Sequence, residues 1–240
     1  MVAVKVRNLT KFYGELKAID RISFEIEEGE IFGLIGPNGA GKTTTLRILA
    51  TILSPTEGDV NIFGFNLKTE SEKIREIISY LPEEAGAYKS LTGLDYLDFM
   101  ASLYAKDFSE KEKFLKNAIE IADLKDRIKD KIGSYSKGMV RKLLLARSLM
   151  HFPKLAILDE PTSGLDVINS IEIRKIIKEF TKHGTTVLLS SHNMLEVEFL
   201  SDRIALINKG KILIQGKPDE LKKDFNARNI EEVFMEAVKE

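Results

Sequence analysis

The chain of 240 residues contains no cysteine. That absence removes disulfide frameworks, thiolate zinc sites, iron–sulfur clusters and cysteine nucleophiles together, and a cytosolic setting fits it. A charge surplus is lacking too: 36 Lys and Arg face 37 Asp and Glu, for a net charge of −1. No global basic field exists to hold nucleic acid or an anionic membrane, so no nucleic-acid partner is expected. No apolar run approaches the ~20 residues that cross a bilayer. The opening MVAVKVRNLT has neither an apolar signal core nor an Arg/Ser-rich leader. The expectation is a chain that neither spans a membrane nor is exported. Glutamine is nearly missing, Gln215 being the only one beside abundant Lys, Glu and Ile, a bias found in proteins from hot environments.

What is present suits a folded domain: 43% hydrophobic and 30% charged residues supply a core and a solvated surface. Length against a typical domain of about 150 residues allows one large domain or a domain with an inserted lobe. Alternation at Val4 and Val6, Phe24 and Ile26, and Val60 and Ile62 predicts half-exposed antiparallel strands in a small β lobe. The unbroken apolar runs 31–35, 155–158, 187–189 and 204–207 instead predict strands of a parallel sheet buried on both faces. Helical patterns follow the first three runs, over Thr44–Leu53, Val167–Lys182 and Met194–Leu200. The fold class is therefore α/β.

Between Leu81 and Pro153 strand signals give way to helical ones. Leu94, Leu97, Phe99 and Leu103 mark one segment and Phe114, Ile119 and Ile121 the next, with Ser109 and Glu112 as the expected capping box. The expected organisation is a single domain over 1–240: a core with its β lobe at about 1–82 and 153–218, an inserted helical lobe at about 83–152, and a tail at about 219–240. In the tail, Ile230, Val233, Phe234, Ala237 and Val238 are spaced as the apolar stripe of a helix.

Gly36-Pro37-Asn38-Gly39-Ala40-Gly41-Lys42-Thr43 fits G-x-x-x-x-G-K-[S/T], the Walker A pattern, after a buried strand and before a helix. Glycines let backbone N–H groups turn around a phosphate, the helix N-terminus adds partial positive charge, and Lys42 adds a full one. Thr43 can offer a hydroxyl to Mg²⁺. No G-x-G-x-x-G fingerprint with a downstream ribose carboxylate is evident, which disfavours dinucleotide binding. The run Leu155–Leu158 ends in Asp159 and Glu160. Alone, such a pair is as often a solvated strand end. Beside a phosphate loop, Asp159 falls toward the metal and Glu160 toward a water in line with the γ-phosphate, which favours hydrolysis.

Further motifs stand in order along the chain: Tyr13 in KFYG, Thr44 closing GPNGAGKTT, YLPE ending at Glu83, YSKGM over 135–139, SGLD over 163–166, and His192 in SSHN. Together they resemble the ATP-binding-cassette ATPases over essentially the whole chain. YLPEE followed by YSKGM is similar to the branch that exports drugs, ions or polysaccharides. The resemblance implies a P-loop NTPase (RecA-like) core, ATP and Mg²⁺ as ligands, and a head-to-tail two-fold pair of ATPase subunits, a homodimer when ATP-bound. It further implies a separate transmembrane permease subunit that holds the protein at the inner face of the cell membrane.

By the same resemblance Tyr13 stacks on adenine, and Gly36, Asn38, Gly39, Ala40, Gly41, Lys42, Thr43 and Thr44 hold the phosphates. Thr43, Asp159 and Glu83 surround the metal. Glu160, His192 and Lys42 act on the reaction. Ser136 and Gly138 bind the γ-phosphate held by the opposite subunit, and Asp166 crosses the interface, although alone it is equally a helix N-cap. His151 and His183 lack such context and are expected to be structural or exposed. The loop 84–91 matches the place where family members receive the membrane partner, with Tyr88 and Leu91 as candidate anchors, although a plain packed turn fits the same residues about as well. Glu83 departs from the family's usual glutamine, and Lys137 and Met139 from a glycine and a glutamine. The signature serine, its remaining glycine and the catalytic carboxylates are kept.

The resulting expectation is the ATP-hydrolysing subunit of an exporter. One rival is a soluble cassette ATPase acting on nucleic acid, ribosomes or cluster assembly. The long coiled coils and second cassettes typical of such relatives are missing from this sequence. The other rival is a regulatory module that binds ATP without hydrolysing it, against which the intact Lys42, Asp159, Glu160 and His192 argue.

Overall fold

The computed structural model describes residues 1–239. The chain opens with long strands β1 (Val2–Tyr13) and β2 (Leu16–Glu27), then β3 (Ile31–Ile35) and helix α1 (Lys42–Leu49). Next come β4 (Glu57–Ile62), β5 (Phe65–Asn66), α2 (Ser71–Ile77) and β6 (Ile78–Leu81). Helices α3 (Gly93–Tyr104), α4 (Phe108–Ala122) and α5 (Lys137–Leu149) intervene before β7 (Leu155–Asp159). The remainder is α6 (Val167–Lys182), β8 (Thr186–Ser191), α7 (Met194–Leu200), β9 (Arg203–Asn208), β10 (Lys211–Gly216), α8 (Pro218–Asp224) and α9 (Ile230–Ala237).

The apolar runs form the middle of a sheet ordered β10-β9-β3-β8-β7-β6, parallel except for the β9–β10 hairpin. The alternating segments form an antiparallel sheet ordered β2-β1-β4-β5. Two apolar layers cover the faces of the parallel sheet. Ile31, Ile35, Ala156 and Leu158 face the helical layer of α3–α7 and α9, while Phe32, Leu34, Leu155 and Ile157 face α1 and the β lobe. Alternate residues of one strand thus serve opposite layers, which is why these strands read as unbroken apolar runs. Gly33 sits where α7 presses on the sheet: a Cβ there would lie 2.5 Å from Val197 Cγ1.

Several expectations need correction. Asp107, not Ser109, caps α4. Its carboxylate accepts from Glu110 N at 2.8 Å and Glu110 reaches back to Lys106 N at 2.7 Å, so the box starts two residues earlier. The first helix covers Lys42–Leu49 rather than Thr44–Leu53, because Thr51 adopts a left-handed φ of 60°. The two helical segments form as expected, and in α3 and α4 the buried face is Tyr96, Leu97 and Ala101 with Phe114, Ala118 and Ala122, whereas Phe99, Leu103 and Ile119 are exposed. The tail helix buries Ile230, Val233 and Ala237, while Val238 lies beyond it in solvent. His151 is stacked on Tyr104 at 4.6 Å between ring centroids, and His183 is exposed beside Glu179. No helix among the described residues is long and apolar enough to cross a membrane.

Candidate active site at the carboxyl edge of the sheet

Strand β3 ends at Ile35 and the loop 36–41 turns back over the sheet edge into α1. Gly36 passes so close to β9 that a Cβ would fall 2.0 Å from Ile207 O, and Gly41 has φ 104°. Neither geometry admits a side chain without strain, which accounts for the glycines of the motif. Pro37, Asn38 and Gly39 are exposed and Ala40 is buried. No side chain caps α1, so its first amides remain free for an anion, and its first turn carries Lys42 with no acidic residue. Lys42 Nζ donates to Gly36 O at 2.7 Å and to Pro37 O at 3.3 Å, and lies 3.4 Å from Glu160 Oε1. An ammonium in that position is what a phosphate group would meet.

Parallel pairing of β7 with β8 brings the second motif to the same edge. Asp159 is buried, its Oδ1 accepting from Ser190 Oγ at 2.5 Å and from Thr43 Oγ1 at 3.2 Å. Tyr80 of β6 approaches Oδ2 at 3.5 Å. Burial first, and the Asp159 charge second, push the Tyr80 phenol above its usual value, which keeps it a donor. Glu160 is 5% exposed and stands at φ 48°, a left-handed conformation that costs a non-glycine residue roughly 1–3 kcal/mol. Its amide donates to Ser190 O at 3.2 Å and Ser190 Oγ at 3.1 Å. Its other carboxylate oxygen lies 2.9 Å from His192 Nδ1. Lys42, Thr43, Asp159, Glu160 and His192 are therefore one contiguous cluster.

Thr43 and Asp159 present a hydroxyl and a carboxylate oxygen side by side, the hard-oxygen set that suits Mg²⁺, which keeps waters and completes its shell on phosphate oxygens. The residues fit that metal. A cavity of 270 Å³ joins the exposed Tyr13 ring, Leu16, Asn38, the loop to Thr44, Glu83 and Glu160. A larger hollow of 570 Å³ between α4 and α6 contains none of these residues.

The other expected residues lie apart from the cluster. Ser136 caps α5, accepting from Met139 N at 3.3 Å, and Asp166 caps α6, accepting from Asn169 N at 3.0 Å. The Asp166 carboxyl is held below its usual range, chiefly by that amide. Gly138 abuts Asn169, whose Oδ1 would lie 2.1 Å from a Cβ there. Exposed Glu83 accepts from Ser163 Oγ at 3.2 Å. Tyr88 is exposed against the edges of Tyr96 and Phe99, whereas Leu91 is half-buried in the helical layer. Sequence reasoning missed Tyr80, Ser190, Asn169 and Arg141, all of which work through partners at least 19 residues away except Asn169.

A phosphate loop between β3 and α1, with β7 two places along the sheet ending at Asp159 and followed by Glu160, defines a P-loop NTPase. Residues 19–163 match the ABC transporter family model, and the chain belongs to that family as an ATP-binding subunit and ATPase. It is 38% identical over 221 residues to the bacitracin transport ATP-binding protein BcrA of Bacillus licheniformis, covering 92% of this chain and 71% of that protein. A solved ATP-binding subunit of an ABC transporter superposes with a TM-score of 0.86 at 28% identity, covering 98% of this chain and 99% of that one. A dimeric cassette in a post-hydrolysis state with ADP and Pi does so with a TM-score of 0.80 at 28% identity, covering 89% and 98%.

Proposed function

We propose that this chain is the ATPase subunit of an exporter, acting as a homodimer that closes on Mg²⁺-ATP and drives a separate membrane permease. The observation that carries it is the Glu160 carboxylate, fixed between Lys42 and His192 beside the phosphate loop. In this reading the loop amides and Lys42 bind the β- and γ-phosphates, and Thr43 and Asp159 hold the metal, with Glu83 beside them. Once bound, the metal supplies charge neutralisation at the phosphate oxygens. Glu160 polarises the attacking water and His192 orients it. Tyr13 offers its ring to adenine. Ser136, Gly138 and Asp166 serve the phosphate site of the second copy, a division supported by the dimeric arrangement of the ADP- and Pi-bound relative.

Export and a membrane partner are supported by the bacitracin-transport relative. The organisation into a core with its β lobe at about 1–82 and 153–218, an inserted helical lobe at about 83–152 and a helical tail at about 219–240 belongs to the same reading. So does a location at the inner membrane face through the permease. Phosphate release by the wild type and Glu160→Gln at saturating Mg²⁺-ATP tests hydrolysis: turnover is expected in the first and its near-loss in the second. Equal rates would remove Glu160 from the chemistry. A membrane protein that co-purifies from solubilised membranes and stimulates turnover tests the transport assignment.

A further inference from the structure

Arg141 lies on α5, five positions after Ser136, and is 7% exposed. Every hydrogen bond that its guanidinium makes among the described residues ends on a main-chain carbonyl. Nε donates to Pro161 O at 2.7 Å, Nη2 donates to Glu160 O, and Nη1 reaches Pro82 O at 3.4 Å and Glu83 O at 3.3 Å. A buried guanidinium normally pairs with a carboxylate; here it spends its fork on the backbone of two segments. Both segments carry an acidic residue of the candidate site. One is the left-handed Glu160, whose amide is already tied to Ser190. The other is Glu83, at the start of the loop that leads to α3. Burial lowers the Arg141 pKa from its usual value, and the charges of Glu83, Asp159 and Glu160 oppose that shift, so the cation stands behind the acidic cluster and stays charged.

We propose that Arg141 is a positioning residue, through which the helix headed by Ser136 holds the Glu160 backbone in its left-handed conformation and ties it to the Glu83 segment. Arg141 bonds the backbone beside the two carboxylates and not the carboxylates themselves. It fixes where the Glu160 carboxylate stands, and it makes a shift of α5 register at both carboxylates. Loss of the fork therefore changes the chemical step while leaving the nucleotide-binding surface, built from Lys42, Thr43 and Tyr13, intact. Lysine, with one point charge, cannot replace a fork that spans two segments.

The inference rests on Glu160 acting in hydrolysis, so the test includes Glu160→Gln beside Arg141→Met and Arg141→Lys. Turnover, KM for ATP, equilibrium ATP binding and melting temperature are measured on each full chain. The expected result for both Arg141 variants is a fall in kcat of about thirtyfold or more. ATP affinity should stay within about threefold, and the lysine variant should melt near the wild type. If kcat changes by less than about twofold in the folded variants, or falls only in proportion to ATP affinity, the inference is overturned. Failure of both variants to fold overturns it as well, because Arg141 is then a structural residue. Wild-type turnover in Glu160→Gln would instead sink the assignment of Glu160, whereas a dead Glu160→Gln with active Arg141 variants sinks the Arg141 inference alone.

Discussion

The carboxylates of Asp159 and Glu160 are met by the side chains of Lys42 and Thr43 from one segment and of Ser190 and His192 from another, so three separate segments converge there. On the signature side, Ser136 and Asp166 are exposed and bond only the first turns of their own helices. In the proposed dimer, the contrast separates a half-site that the fold completes by itself from one whose polar groups cap their own helices until a second copy brings a phosphate. Carboxylates held from two other segments are fixed before any ligand arrives, and preorganisation of that kind stabilises a transition state. A hydroxyl at a helix N-terminus can leave its amide for a phosphate and let the phosphate take that amide. The two halves should therefore respond differently to substitution.

The largest effect is expected at the self-contained half. Glu160→Gln should lower phosphate release at least a hundredfold, about 2.7 kcal/mol of barrier, while leaving ATP bound. Ser136→Ala should come next. It removes a cap worth about 1 kcal/mol of stability, and it should slow turnover about tenfold or more while the isolated chain binds ATP as before, a pairing that melting curves and titration calorimetry read together. A loss of ATP affinity in the isolated chain would break the comparison, since Ser136 would then belong to its own phosphate site.

Tyr13→Ala sharpens the comparison at the open side of the cavity. ATP binding should weaken by ~1–2 kcal/mol and Tyr13→Phe should be nearly silent, because stacking needs the ring and not the hydroxyl. An unchanged dissociation constant for the alanine variant would place adenine elsewhere. The smallest effect on rate belongs to Glu83→Gln, which should keep turnover within about tenfold, some 1.4 kcal/mol. It should also raise the Mg²⁺ concentration needed for half activity, since a hard dication favours an anionic oxygen over an amide. Titrating Mg²⁺ at saturating ATP separates the two quantities. Near-total loss of turnover would make Glu83 an essential base, and no change in either quantity would leave its carboxylate with Ser163.

The difference between the halves also explains what the sequence could disclose. Runs such as 155–158 are legible because a strand buried on both faces must be apolar throughout, and the loop 36–43 is legible because close backbone approach demands glycine at fixed spacing. Tyr80, Ser190 and Arg141 were invisible because their partners are reached only across the sheet or from another helix. Ser109 misled because Asp107 and Glu110 satisfy the same capping logic two residues earlier. Phe99 and Leu103 mark α3 correctly as a helix but not its buried face, because apolar residues on α3 occupy the solvent face as well as the buried one. For Asp166 both readings suggested by its position coexist: it is a helix cap in the single chain, and in the proposed dimer it faces the second copy.

The most direct measurement is the oligomeric state of Glu160→Gln in Mg²⁺-ATP, by gel filtration with light scattering, with and without Ser136→Glu in the same chain. The account predicts a monomer without nucleotide and a dimer at saturating ATP. It predicts a return to monomer when the carboxylate at position 136 repels the γ-phosphate of the opposite site, with ATP still bound to each chain. A Glu160→Gln chain that stays monomeric at saturating ATP, or a dimer that the Ser136 change leaves intact, would contradict a phosphate site completed by a second copy.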